Sequence, residues 1–125
     1  MKHENLKDRT KNFALRIIRM VEALPKSKTA DVIGRQLLRS GTSVGANYRS
    51  ACRAKSSADF IHKMSIVEEE ADESLFWMEL LIEGKLMHEQ QIKELSAEAK
   101  ELLAITIASI RTVKKRNYQG EKNAG

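Results

Sequence analysis

Residues 58–83 read ADFIHKMSIVEEEADESLFWMELLIE, and the fold turns on them. Phe60, Met64, Val67, Ala71, Leu75 and Met78 recur at steps of three or four residues. In an α-helix that spacing returns to one face, whereas a strand would need alternation with period two. The pattern predicts a helix with one seam built for a bundle core. Gly84 is expected to terminate it. On the upstream side Lys55-Ser56-Ser57-Ala58-Asp59 reads as a break, with Ser56 and Asp59 spaced as a capping-box variant.

Outward from this segment, three further stretches carry the same periodicity. The first covers about residues 6–24, with Phe13, Ile17, Met20 or Val21, and Leu24 on one face. Pro25 stops it, and Ser27 or Thr29 caps the next. The second covers about 29–54, with Ile33, Leu37, Val44, Tyr48 and Ala51 on one stripe. The fourth covers about 89–115, with Ile92, Leu95, Ala99, Leu102, Ile110 and Val113 turned inward. Residues 117–125 are polar and are expected to fray. Four amphipathic helices with short connections predict an all-α, antiparallel up-and-down four-helix bundle, a single domain over residues 1–125. The 42% hydrophobic content is enough for one folded core and argues against a disordered chain.

Several function classes find no support. No run of roughly 18 apolar residues predicts a membrane span. The start, Met1-Lys2-His3-Glu4-Asn5, leads into charge and not into the apolar core of a signal peptide. Cys52 is the single cysteine, so no internal disulfide is expected, and it reads as a small helix filler, not a nucleophile. These features predict a cytoplasmic protein. A di-iron bundle needs two Glu-x-x-His motifs, and Asp59-Phe60-Ile61-His62 is one approximation without a second copy. The acidic run Glu68-Glu69-Glu70 with Asp72 and Glu73 reads as a solvated or ion-paired face. There is no phosphate loop, no Gly-x-Ser-x-Gly and no Arg–His pair at ribonuclease spacing. The expectation is a protein that is not an enzyme and holds no metal or cofactor.

Charge is segregated along the chain. Residues 1–65 hold 14 Lys/Arg against 5 Asp/Glu, a net +9, while residues 66–113 hold 4 against 11, a net −7. Residues 114–125 return to a net +3, with 4 against 1. Within the second helix Arg35, Arg39, Arg49 and Arg53 fall in an arc of about 80°, opposite the apolar stripe. Guanidinium groups in a row suit phosphates, and Lys114, Lys115 and Arg116 add to them. The competing reading is that these cations are solvated or meet acidic patches on a neighbouring subunit.

Gly34, Gly41 and Gly45 share one flank of the second helix, which predicts close approach of another backbone, or else an interruption at Gly41. Ser43 and Asn47, four apart, read as a structural polar pair. Residues 75–82, LFWMELLI, are nearly apolar all round, more than one bundle core can bury. Phe76, Trp77 and Leu80 are therefore expected to meet another subunit.

The segment Ser40-Gly-Thr-Ser-Val-Gly-Ala-Asn47, with Arg39 before it and Asp59-Phe-Ile-His-Lys-Met-Ser-Ile66 through Leu80-Leu81 after it, resembles the bacterial four helix bundle protein family. That family is also known from intervening sequences of large-subunit ribosomal RNA genes. The resemblance runs from about Phe13 to Arg116, and it implies an antiparallel bundle assembled as a ring-like homopentamer. One relative, the accessory protein of diversity-generating retroelements, binds a reverse transcriptase and nucleic acid through a basic surface. No catalytic residue is implied. Where many relatives carry an acidic residue shortly after the Asn, this chain has Ser50. The expected function is electrostatic binding of structured RNA or DNA by a homo-oligomer. The alternative is a protein-interaction scaffold that touches another protein and no nucleic acid.

Overall fold

Asn5, Ser27 and Ser56 begin the first three helices by the same device. Each side-chain oxygen accepts a backbone N–H of the first turn: Lys7 at 2.8 Å, Ala30 at 3.1 Å and Asp59 at 3.0 Å. Those amides have no partner inside the helix, so the caps satisfy them. In the computed structural model, which describes residues 5–124, the elements are α1 (Leu6–Glu22), α2 (Lys28–Ala51), α3 (Ser57–Glu83) and α4 (Glu89–Ala124). The charged start at Met1–Glu4 and the terminal Gly125 lie outside the described residues. There is no strand among the described residues.

Each helix packs against the next, and α1 also touches α4, while the diagonal pairs do not meet. This is the antiparallel four-helix bundle. The α1–α4 corner is held by Arg9, whose Nη2 and Nε reach Glu98 at 2.7 and 3.1 Å and whose Nη2 also reaches Glu101 at 3.0 Å. These bonds hold the guanidinium far above its ordinary pKa, Glu98 contributing most. The core joins Phe13 and Ile17 of α1, Leu37 and Val44 of α2, Met64, Val67, Met78 and Leu81 of α3, and Ile92, Leu95 and Leu102 of α4. Burying one such side chain contributes about 1.5–3 kcal/mol. Phe60, Ile33, Tyr48, Leu24 and Val113, read from periodicity as inner residues, are only half-buried because they sit near helix ends or at the edge of the seam.

Three helix ends differ from the sequence expectation. α1 ends at Glu22, ahead of Pro25. α2 ends at Ala51, not near residue 54, and Cys52 is its exposed capping residue and not a filler inside the helix. Gly84 caps α3 with a φ of −78°, and the left-handed residue is Lys85 at 61°. Lys85 N–H donates to Ile82 and Leu86 N–H to Leu81, a Schellman closure, with Leu86 packed on the core. Gly84 is still required sterically, since a Cβ there would stand 2.8 Å from the Leu80 carbonyl oxygen.

The largest difference is at the C-terminus. The tail expected to fray is helical to Ala124. Residues 114–124 contain no proline and one glycine, Gly120, and are otherwise mostly good helix formers. They extend a helix already nucleated by the bundle, so no new nucleus has to form.

Candidate functional site

Arg35, Arg39 and Arg49 lie on the outer face of α2, whereas Arg53, expected on the same helix, falls in the turn after it because α2 ends at Ala51. The structure divides the four into two pairs. Arg35 is exposed and ion-paired one turn back with Asp31. Arg39 crosses to α3, where Nη1 donates to Glu70 Oε2 at 3.2 Å and Nη2 donates to Glu73. Hydrogen bonds to Glu73 and then to Glu70 raise the Arg39 pKa. Arg39 in turn holds the Glu73 carboxyl below its ordinary range, helped by the indole N–H of Trp77, which donates to Glu73 Oε1 at 3.1 Å. Behind this contact lies a pair that sequence reading missed. The hydroxyls of Ser40 and Ser74, both fully buried, stand 2.9 Å apart, and Ser74 also donates to the Glu70 carbonyl at 2.8 Å. A hydroxyl can donate once and accept, so Ser40 → Ser74 → Glu70 satisfies both groups.

The other pair has a different setting. Among the described residues no carboxylate lies within ion-pair distance of Arg49 or Arg53. Both line an open groove of about 390 Å³ between α1 and α2, together with Lys7 and Lys11 from α1 and Asp8 as its one acidic residue. Thr10, Thr42, Gly45 and Ala46 also line it. The groove exists because α1 lies tightly on the glycine flank of α2. A Cβ on Gly45 would stand 3.2 Å from the Thr10 carbonyl oxygen, and one on Gly41 would stand 2.8 Å from Ile17 Cγ1. Gly34 is equally close to Leu24, at 2.9 Å. α2 runs through Gly41 without a break, so these glycines admit the neighbour and do not interrupt the helix.

Lys7 and Lys11 were not singled out by the sequence reading. Their signal is their four-residue spacing on α1 combined with the glycine flank, which together place two more cations beside Arg49 and Arg53. Lys114, Lys115 and Arg116 do not line the groove. They are exposed on the last part of α4, at the end of the bundle that also holds the α1 N-terminus and the α2 C-terminus.

Three further groups complete the map. Asn47 donates to the Ser43 carbonyl at 2.9 Å, so that pair closes within α2. Burial, followed by a hydrogen bond with Cys52, pushes the Tyr48 phenol up to about 12. On α3, Phe76 is 50% exposed and meets Trp77 edge-on with ring centroids 5.0 Å apart, while Trp77 and Leu80 are half-buried. Among the described residues no three His, Cys, Asp or Glu side chains gather as a metal site, and no helix is long and apolar enough to cross a membrane.

Fold and surface together define an antiparallel four-helix bundle with a basic groove at one end. The chain belongs to the 23S rRNA-intervening sequence protein family, whose model matches residues 3–108. Among solved structures it is similar to a protein of unknown function from the S23 ribosomal protein family of Bacteroides thetaiotaomicron VPI-5482. The two share 38% identity and a TM-score of 0.80, over 85% of this chain and 98% of that one. No curated protein matches the chain.

Proposed function

We propose that the protein is a non-catalytic, homo-oligomeric bundle of the cytoplasm that binds structured RNA or DNA by charge. The observation that carries this reading is the groove, where Arg49, Arg53, Lys7 and Lys11 converge with one acidic residue between them. Guanidinium and ammonium groups left without carboxylates are free to hold phosphate oxygens. Such contacts position a nucleic acid but read little of its sequence. Arg35 and Arg39, already engaged by Asp31, Glu70 and Glu73, contribute less. Assembly uses the α3 face at Phe76, Trp77 and Leu80, and the family resemblance makes a ring-like pentamer the expected form.

The test is binding of a labelled structured RNA and a DNA duplex across a salt series, with the oligomer mass followed in parallel. Affinity is expected to fall steeply with salt, and Arg49→Glu/Arg53→Glu to abolish binding while leaving the mass unchanged. Salt-independent binding, or full binding by the double variant, would overturn the mechanism. A second reading is favoured by one observation, the half-exposed Phe76 ring set edge-on to Trp77, which suits a protein partner. Under that scaffold reading Phe76→Ala would abolish partner capture and no nucleic acid would bind at low salt.

A further inference from the structure

Ile110 is the last buried residue of α4, yet the helix continues to Ala124, about 20 Å further at 1.5 Å per residue. This overhang lies past residue 108, where the family match ends. Its helical state gives meaning to a spacing that a frayed tail would erase. Arg111, Lys115, Tyr118 and Lys122 stand at i, i+4, i+7 and i+11, within an arc of about 60° on one outer flank. All four are exposed, Tyr118 to 62%. None of the three cations has an ion-pair partner among the described residues. Around Gly120 the space is open, with nothing within 4 Å of where a Cβ would stand.

We infer that this flank of α4 is a second binding element, one that takes a single-stranded stretch of nucleic acid adjoining the structured part. The inference rests on the nucleic-acid reading proposed above. Three unpaired cations along a helix supply phosphate contacts, and an exposed tyrosine ring among them offers a stacking face. A ring of this kind serves unpaired bases, because bases in a duplex already stack on each other and hide their faces. The acidic surface of a second copy is the less fitting occupant. Exposed carboxylates such as Glu69, Asp72, Glu79 and Glu83 offer partners for the flank's cations, but an acidic surface would leave the tyrosine ring unused.

The experiment measures fluorescence anisotropy of the full chain with a blunt RNA hairpin, the same hairpin carrying an oligo(U) extension of about 16 nucleotides, and the DNA counterpart of each. The extension is expected to raise affinity at least about fivefold, the lower range for one base–aromatic stack. Tyr118→Ala should remove that gain and Tyr118→Phe should keep it, with the blunt hairpin bound equally by both. Lys115→Gln should make the salt slope on the extended probe shallower by about 0.7, one phosphate contact on a single strand. Gain on RNA alone would assign the element to RNA, and gain on both to single strands in general.

An extension that adds nothing, or a gain that survives Tyr118→Ala, overturns the inference. If Arg49→Glu/Arg53→Glu loses the blunt hairpin while the α4 variants change nothing, the inference fails and the groove stands. If no probe binds the unaltered protein, both fail. A Tyr118→Ala variant with altered oligomer mass and unaltered affinity would make the overhang a contact between copies and overturn its nucleic-acid role.

Discussion

Arg35 and Arg39 on the first half of α2, and Arg49 and Arg53 at and just past its end, share residue type and exposure, but their surroundings differ. The first two stand opposite Asp31, Glu70 and Glu73. The second two stand beside Lys7 and Lys11, with Asp8 as the groove's one carboxylate. What separates them is the surrounding charge: Arg35 meets Asp31 of its own helix and Arg39 meets acidic α3, while the basic start of α1 approaches the second pair. A row of arginines is therefore not one site. Its availability to phosphate depends on which residues the fold sets against each member.

The sharpest way to break this comparison is to neutralise the two pairs separately. Arg49→Gln/Arg53→Gln should weaken RNA binding roughly 100-fold, as expected for two lost charge-assisted contacts. Arg35→Gln/Arg39→Gln removes the same net charge and should change affinity by no more than about threefold. Equal losses in a filter-binding titration would show that net charge matters and placement does not.

The next effect in size is on the fold that builds the groove. Gly41→Val places bulk against Ile17, which is fully buried, and should destabilise the protein by about 2 kcal/mol in urea unfolding. The same change should lower RNA affinity by moving Lys7 and Lys11 away from Arg49 and Arg53. Unchanged stability would mean that α1 is not held where the comparison requires it.

The neutralised half depends on α3 staying in place, and Ser40 tests that. Ser40→Ala should cost about 1 kcal/mol, and Ser40→Ala/Ser74→Ala less than the sum of the two single losses. Additive losses would separate the hydroxyls energetically.

The smallest effect is in pH. The Glu73 carboxyl is held below its ordinary range, chiefly by Arg39, so it binds fewer protons in the folded state. Its contribution is complete above the ordinary glutamate range and is lost as pH falls through its lowered value. Stability of Arg39→Met should accordingly fall less steeply on acidification than that of the unaltered protein. The difference should be small because both groups are partly exposed.

Much of the architecture is legible in residue order. The steps of three and four through Met64, Val67, Ala71 and Met78 predict α3, and the structure buries every one of them. Ser27 and Ser56 cap as their positions indicate. Other features escape such reading for identifiable reasons. Ser40 and Ser74 look like ordinary small residues until two helices bring their hydroxyls together across 34 positions. The end of α4 reads as a loose tail because its polarity offers no core face, although helix propagation needs none. Cys52 falls outside α2 because the helix stops one residue earlier.

The sequence by itself determined the local facts: where helices run, which stripe of each is apolar, and that the first half of the chain is basic and the next acidic. Helical periodicity and composition act over a few residues, so these are readable without a structure. Only the tertiary structure decided which cations remain available. Arg39 is neutralised by glutamates more than thirty residues away, while Arg49 gains lysines from a helix that precedes it. Coulombic pairing depends on distance in space, and that distance is set by core packing and by the glycines that let α1 close on α2.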